Sequence, residues 1–127
     1  MRFAFYTVIS SPHQIPLSRE MVKILGKDGY RYVSKLRIME ERKRLGWESE
    51  IDEPWYVNEQ ERGKEASTIV EKADILMCGI RDIPLLERRC RANKKTFYCA
   101  ERWFKPRLGI LRLMLPSYFL MARRFVR

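Results

Sequence analysis

Ser10, Ser11, His13 and Gln14 stand in a short polar stretch directly after the apolar run RFAFYTVI at residues 2–9. His13 is the single histidine of the chain. An imidazole titrates near neutral pH and can take a proton from a hydroxyl group, so His13 is the candidate general base. The alternative reading is a polar loop residue bonded to backbone. Two further sets of polar groups follow apolar runs in the same way: Arg81 and Asp82 after DILMCGI at residues 74–80, and Glu101 and Arg102 after TFYCA at residues 96–100. In open parallel sheets the loops beyond the carboxyl ends of the strands carry function. If strand order sets the first run beside the run beginning at Asp74, these groups converge on one crevice. Glu101 either orients His13 or an acceptor hydroxyl, or forms an ion pair with Arg102 or another arginine near it.

The elements that would position these groups are legible from periodicity. Residues 2–9 read as a buried central strand, being rich in aromatic and β-branched side chains. Ile15–Gly26 places Ile15, Val22 and Leu25 on one helical stripe, widened by Met21 and Ile24, with Pro16 tolerated in the first turn. Tyr30 to Ile38 alternates large and polar residues and reads as a strand at least to Ser34. Met39–Leu45 is helix-prone and stopped by Gly46, and Pro54–Val57 is a short third strand. Glu59–Ala73 reads as a helix with Ala66, Ile69, Val70 and Ala73 inward. Asp74–Ile80 is a second buried strand. Ile83–Asn93 reads as a helix with Pro84 in its first turn, Leu85 and Leu86 inside, and Arg88, Arg89 and Arg91 outside. Thr96–Ala100 closes the series. Alternating strands and helices predict an α/β, Rossmann-like, three-layer α/β/α domain with a mostly parallel sheet and right-handed crossovers. The expectation is one domain over residues 1–127, with a basic helical tail at 101–127.

Several chemistries are excluded by what is missing. The turn after the first strand carries Ser-Ser-Pro-His-Gln where a dinucleotide site needs G-x-G-x-x-G. No phosphate-binding lysine loop, H-E-x-x-H or other metal-spaced cluster is present, so no metal and no cofactor is expected in this domain. Cys78, Cys90 and Cys99 are odd in number and lack C-x-x-C spacing. Cys78 and Cys99 lie in apolar runs and read as small core residues in a reducing, cytoplasmic setting. No apolar run reaches the ~18 residues of a membrane span, and the start of the chain has no signal-peptide pattern.

At 127 residues the chain has the usual size of one domain, and its net charge of +10 would ordinarily suggest nucleic acid. The placement of that charge argues otherwise. Residues 1–87 hold 14 Lys/Arg against 15 Asp/Glu, a net of −1, whereas residues 88–127 hold 12 Lys/Arg against Glu101 alone, a net of +11. In the tail, Leu108, Leu111, Leu115, Phe119 and Ala122 fall three or four apart, and Pro116 divides the stretch into two helices. Trp103, Phe104, Lys105, Arg107 and Arg112 interleave aromatic and basic groups in a manner that suits an anionic membrane surface, at about 1 kcal/mol per basic residue. The alternatives are a solvated arginine face over a helix pair that closes the core, and a basic nucleic-acid-binding α/β module. No RNP, KH or helix-turn-helix pattern supports the latter, and no nucleic acid is expected.

Four segments together resemble the N-terminal domain of GT-B-type glycosyltransferases of bacterial surface-polysaccharide biosynthesis. They are RFAFYTVISSPHQIPLSREMVKIL, MEERKRLGW at Met39–Trp47, ADILMCGIRDIPLLERR, and TFYCAERWFK at Thr96–Lys105. The resemblance implies an acceptor-binding half of an enzyme that transfers a sugar from a nucleotide-sugar donor to a hydroxyl of a glycan or lipid-linked acceptor. It implies a separate C-terminal donor-binding domain as partner and inactivity of this domain alone. It implies an acceptor-binding role for Ser10, Ser11, Gln14, Arg81, Glu101 and Arg102, and a peripheral site at the inner face of the membrane. In inverting members a histidine in the loop after strand one deprotonates the acceptor, a role that falls to His13. In many retaining members no base operates, and His13 would then position the acceptor.

Overall fold

The computed structural model of the protein describes residues 1–47 and 51–99. The tail at 101–127, with Glu101, Arg102, Trp103, Phe104, Lys105, Arg107 and Arg112, lies outside the described residues. Nine elements run in strict alternation: β1 (Phe3–Thr7), α1 (Gln14–Leu25), β2 (Tyr30–Ser34), α2 (Glu40–Arg44), β3 (Tyr56–Asn58), α3 (Gly63–Lys72), β4 (Ile75–Cys78), α4 (Ile83–Arg91) and β5 (Lys95–Tyr98). The five strands form one parallel sheet in the order β3-β2-β1-β4-β5. The predicted Rossmann-like architecture is therefore present, with β1 at the centre because its run is the most continuously apolar.

Two cores flank the sheet. On one face Ala4, Tyr6, Val33, Val57, Leu76 and Cys78 pack against Ala66, Val70 and Ala73 of the α3 region and Leu85 and Leu86 of α4. On the other, Phe5, Tyr30 and Tyr32 pack against Ile15 of α1 and against Trp55. The second core is an aromatic stack, with Phe5 and Tyr32 centroids 5.4 Å apart and Tyr32 and Trp55 6.5 Å apart. Left-handed glycines end two helices where the sequence places them, Gly26 (φ +79°) after α1 and Gly46 (φ +83°) after α2.

The structure corrects four expectations about packing. Arg89 is not outside: it is only 2% exposed. Its guanidinium donates to the carbonyls of Val70, Ala73 and Lys95 and to Thr96 Oγ1 at 2.8–3.1 Å. Its position four residues after Leu85 and three after Leu86 puts it on the inward stripe, and the open carbonyls at the end of α3 provide acceptors for its charge. Ile24, expected to widen the buried stripe of α1, is 76% exposed, because it lies on the side of α1 away from β2, the strand the helix packs against. Cys99 is exposed rather than core, one residue past the end of the edge strand β5, whereas Cys78 is buried as expected. The helix expected from Glu59 begins at Gly63, since Asn58 to Arg62 turn instead: Glu61 and Arg62 donate their backbone N–H groups to the Asn58 carbonyl.

Buried tyrosines give the fold a defined pH dependence. Burial pushes the Tyr30 phenol up to about 12, against a small opposing effect of its bond to Ser18. Burial likewise raises Tyr32, and burial followed by the Glu59 hydrogen bond raises Tyr6, both further still. Below pH ~10 these phenols are protonated in folded and unfolded chains alike and contribute no slope. Above it the unfolded chain loses protons that the folded chain keeps, so stability falls. Thermal melts between pH 8 and 12 should be flat with respect to these groups up to about pH 10 and decline beyond it, with phenolate absorbance appearing together with unfolding. With Tyr56, Tyr98 and Tyr118 replaced by phenylalanine, a phenolate signal titrating near pH 10 in the folded protein contradicts the burial.

Candidate functional site

The switch point of the sheet lies between β1 and β4, whose residues Phe3–Tyr6 pair in register with Ile75–Cys78. The condition set by the sequence is thus met: the loop carrying Ser10, Ser11 and His13 and the loop carrying Arg81 and Asp82 leave neighbouring strands at the same edge. Backbone hydrogen bonds tie the rim together. Lys35 N–H donates to Thr7 O and Leu36 N–H to Val8 O, while Gly79 N–H donates to Tyr6 O. Arg37 N–H donates to the Gln60 side chain at 2.9 Å. The carboxyl ends of β1, β2, β3 and β4 therefore form one continuous rim.

Within this rim the candidate residues have distinct surroundings. His13 occupies the position before α1, makes no capping bond with its side chain, and is exposed. Gln14 acts as a brace: its Oε1 accepts from Tyr32 Oη at 2.6 Å and from Ser11 N–H at 3.0 Å. Tyr32 Oη in turn lies 3.0 Å from Thr7 Oγ1, so a chain of hydroxyls supports the loop from beneath. Ser10 is buried, and its hydroxyl has no hydrogen-bond partner among the described residues. A buried hydroxyl without a partner costs about 1–3 kcal/mol, and natural proteins keep such groups chiefly where a ligand or water meets them. Arg81 is exposed, and Asp82 accepts from Leu85 N–H at 3.0 Å as the cap of α4.

Two features were not singled out in the sequence. Glu59, immediately after β3, accepts from the buried Tyr6 hydroxyl at 2.5 Å. It could have been found by the same rule that picks out Ser10 and Arg81, the first polar residue after a strand, had β3 been extended to Asn58. A cleft of about 810 Å³ opens where β2 and β3 end, with Arg37, Lys43, Asp52, Asn58, Glu61 and Arg62 among its walls. Its cations are neutralised within the protein: Arg37 meets Glu61 at 3.1 Å, Lys43 meets Glu40 at 2.6 Å, and Arg62 meets Glu65 at 3.4 Å. Such a surface offers many hydrogen-bond donors and acceptors with little net charge. It suits a neutral hydroxylated molecule better than a phosphate, which calls for uncompensated cations.

Among the described residues no group of histidine, cysteine and carboxylate side chains is arranged to hold a metal ion, and no helix is long and apolar enough to cross a membrane. No family model, curated protein or solved structure matches this chain.

Proposed function

We propose that this domain is the acceptor-binding half of a GT-B-type glycosyltransferase, joining a sugar from a nucleotide-sugar donor to a hydroxyl of a glycan or lipid-linked acceptor. The observation that carries the reading is the polar, internally charge-compensated cleft where β2 and β3 end, on the same carboxyl edge of the sheet from which the loop of Ser10 and His13 leaves β1. The four-segment resemblance supports it from the sequence side. The acceptor lies along the rim, with Ser10 and Ser11 hydroxyls and the Arg81 guanidinium as hydrogen-bonding partners, and Glu101 and Arg102 completing the set from the end of the last strand. His13 receives the acceptor proton as the oxygen attacks the anomeric carbon and the nucleotide leaves. A second, donor-binding domain supplies the nucleotide site, since the turn after β1 has no glycine-rich phosphate cradle. The tail, through Trp103, Phe104, Lys105, Arg107 and Arg112, holds the enzyme peripherally at the anionic inner face of a membrane, on the cytoplasmic side.

Calorimetry and backbone-amide NMR on this chain test the reading. Neutral oligosaccharides are expected to shift resonances of Arg37, Asn58 and Arg62 and of residues 10–14, while nucleotide sugars leave the spectrum unchanged. Affinity of this chain for a nucleotide sugar overturns the division of labour. Binding to RNA that weakens steeply with salt, without any response to oligosaccharide, assigns the basic tail to nucleic acid and overturns the whole proposal.

A further inference from the structure

The amino edge of the sheet, opposite the rim that carries His13, holds a second cleft. It has a volume of about 200 Å³ and opens between the first residues of β1 and β2 and the last turns of α3. Ala4 pairs in register with Arg31, so both side chains point to the face that α3 covers. Two residues further along β2, Val33 lies on that same face and is fully buried in the first core. Arg31 thus stands where the strand pattern calls for an apolar residue, with its side chain 30% exposed. Beside it Ala4 contributes only a methyl group, which leaves the space open. Ile69 and Ala73, one helical turn apart on α3, complete an apolar floor with Phe3. Lys72 stands at the rim.

The cations here are held far more loosely than those of the carboxyl-edge cleft. Lys72 has no ion-pair partner among the described residues. Arg31 Nη1 donates to the carbonyls of Lys27 and Tyr30, but Nη2 meets only the fully exposed Asp28, at 3.9 Å. Arg2 meets Asp74 at the same 3.9 Å, against 2.6–3.4 Å for the pairs in the other cleft. Exposed pairs of this kind are worth less than about 1 kcal/mol. The end of α3 would ordinarily repel an anion. Its last carbonyls are already occupied, however: Val70 O and Ala73 O accept from Arg89, and Glu71 O accepts from Lys94 at 2.6 Å.

We infer that this cleft binds a small phosphomonoester with a compact apolar body, the phosphate between Arg31 and Lys72 and the body on Phe3, Ala4, Ile69 and Ala73. Two loosely paired cations match the charge of a phosphate, about −1.5 to −2 at neutral pH. The volume sets the body, since an apolar cavity of about 150 Å³ takes a single benzene ring. The site lies at the opposite edge of the sheet from His13, and the inference is independent of the glycosyltransferase reading.

Titration of the chain with phenyl phosphate, followed by backbone-amide NMR, tests it. Saturable shifts are expected at Arg31, Ile69 and Lys72, with a Kd of about 1 mM or tighter. Inorganic phosphate, phenol and benzoate each lack one part of the ligand and should bind at least about fivefold more weakly. Lys72→Glu should weaken phenyl phosphate by about tenfold or more. Lys64→Glu makes the same change in net charge at the far end of α3 and should weaken it less than about twofold. Both lysines are exposed, so neither variant disturbs the fold. Absence of saturable shifts at these three residues up to about 10 mM overturns the inference. So does equal binding of inorganic phosphate or phenol, which reduces the cleft to a bare anion site or an apolar hole. Equal binding of benzoate removes the phosphate as the head group, and equal weakening by Lys64→Glu reduces the attraction to net charge; either result overturns it too.

Discussion

The Arg89→Ala chain is expected to melt about 10–20 °C below the unaltered protein, or to fail to fold. Arg89 is buried on the inner side of α4, and its guanidinium ties that helix to two other elements, the end of α3 and β5. It donates to Val70 O at 2.8 Å and Ala73 O at 3.0 Å at the end of α3, and to Lys95 O at 3.1 Å and Thr96 Oγ1 at 3.0 Å on β5. The last carbonyls of a helix have no partner within it, and here a side chain from the next helix supplies one. Burial lowers the Arg89 pKa from its ordinary value, a measure of the desolvation these bonds must offset. Truncation leaves several backbone carbonyls buried without donors, at about 1–3 kcal/mol each, for a total of roughly 3–5 kcal/mol. At this chain length each kcal/mol corresponds to roughly 3–5 °C.

Two companion substitutions separate charge from hydrogen bonding. Arg89→Met removes the buried charge at nearly constant volume, a change that can be neutral where an ion pair is replaced whole. Here the acceptors are backbone carbonyls that stay in place, so Arg89→Met should lose most of what Arg89→Ala loses. Arg89→Lys keeps a charge but cannot present a planar fork to acceptors on two sides, and should fall in between. Urea titrations with an unchanged m-value would confirm that stability rather than the denatured state has changed. A loss below about 1 kcal/mol in Arg89→Ala contradicts the role.

Arg89 also shows where reading the sequence by residue type fails. Its spacing from Leu85 and Leu86 marks an inward position, yet an arginine in a run of arginines is taken as solvated, and type outweighs period. Its acceptors are absent from any local pattern, since they come from α3 and β5. The same limit applies to Tyr6 and Glu59. Each is legible as a strand residue and a residue just after a strand, but their contact requires the order β3-β2-β1, which is a property of the whole sheet. By contrast the strands themselves are plain in the sequence, because a strand buried on both faces must be apolar at every position, as Phe3–Thr7 nearly is. The positions of Ser10, His13, Arg81 and Asp82 are plain for the same reason, being fixed by where those runs stop. Ile24 and Cys99 are apolar enough to predict burial, and periodicity gives no warning that both end up exposed.

On the proposed glycosyltransferase reading, His13→Ala in the full-length enzyme is expected to lower kcat by about 10²–10⁴-fold, equivalent to about 2.7–5.5 kcal/mol of transition-state stabilisation. The expectation rests on placement. His13 stands on the rim formed by the ends of β1, β2, β3 and β4, exposed and not engaged in capping α1, on a loop braced from below by Gln14, Tyr32 and Thr7. A rigid support and an imidazole without a hydrogen-bond partner among the described residues suit a proton acceptor, because the ring can then meet the acceptor hydroxyl directly. Its substitution should leave the fold intact, since no described contact depends on the side chain, and the melting temperature of His13→Ala should stay within about 2 °C of the unaltered protein. His13→Gln retains hydrogen bonding without a basic nitrogen, so it separates proton transfer from positioning. A base role predicts that His13→Gln is as slow as His13→Ala and that added imidazole restores part of the rate to His13→Ala. A positioning role predicts the opposite: near-normal kcat in His13→Gln, a raised KM in His13→Ala, and no response to imidazole. Turnover within threefold of normal in both variants removes His13 from the reaction and leaves the Ser10 hydroxyl, buried and without a partner among the described residues, as the group on this loop to test next.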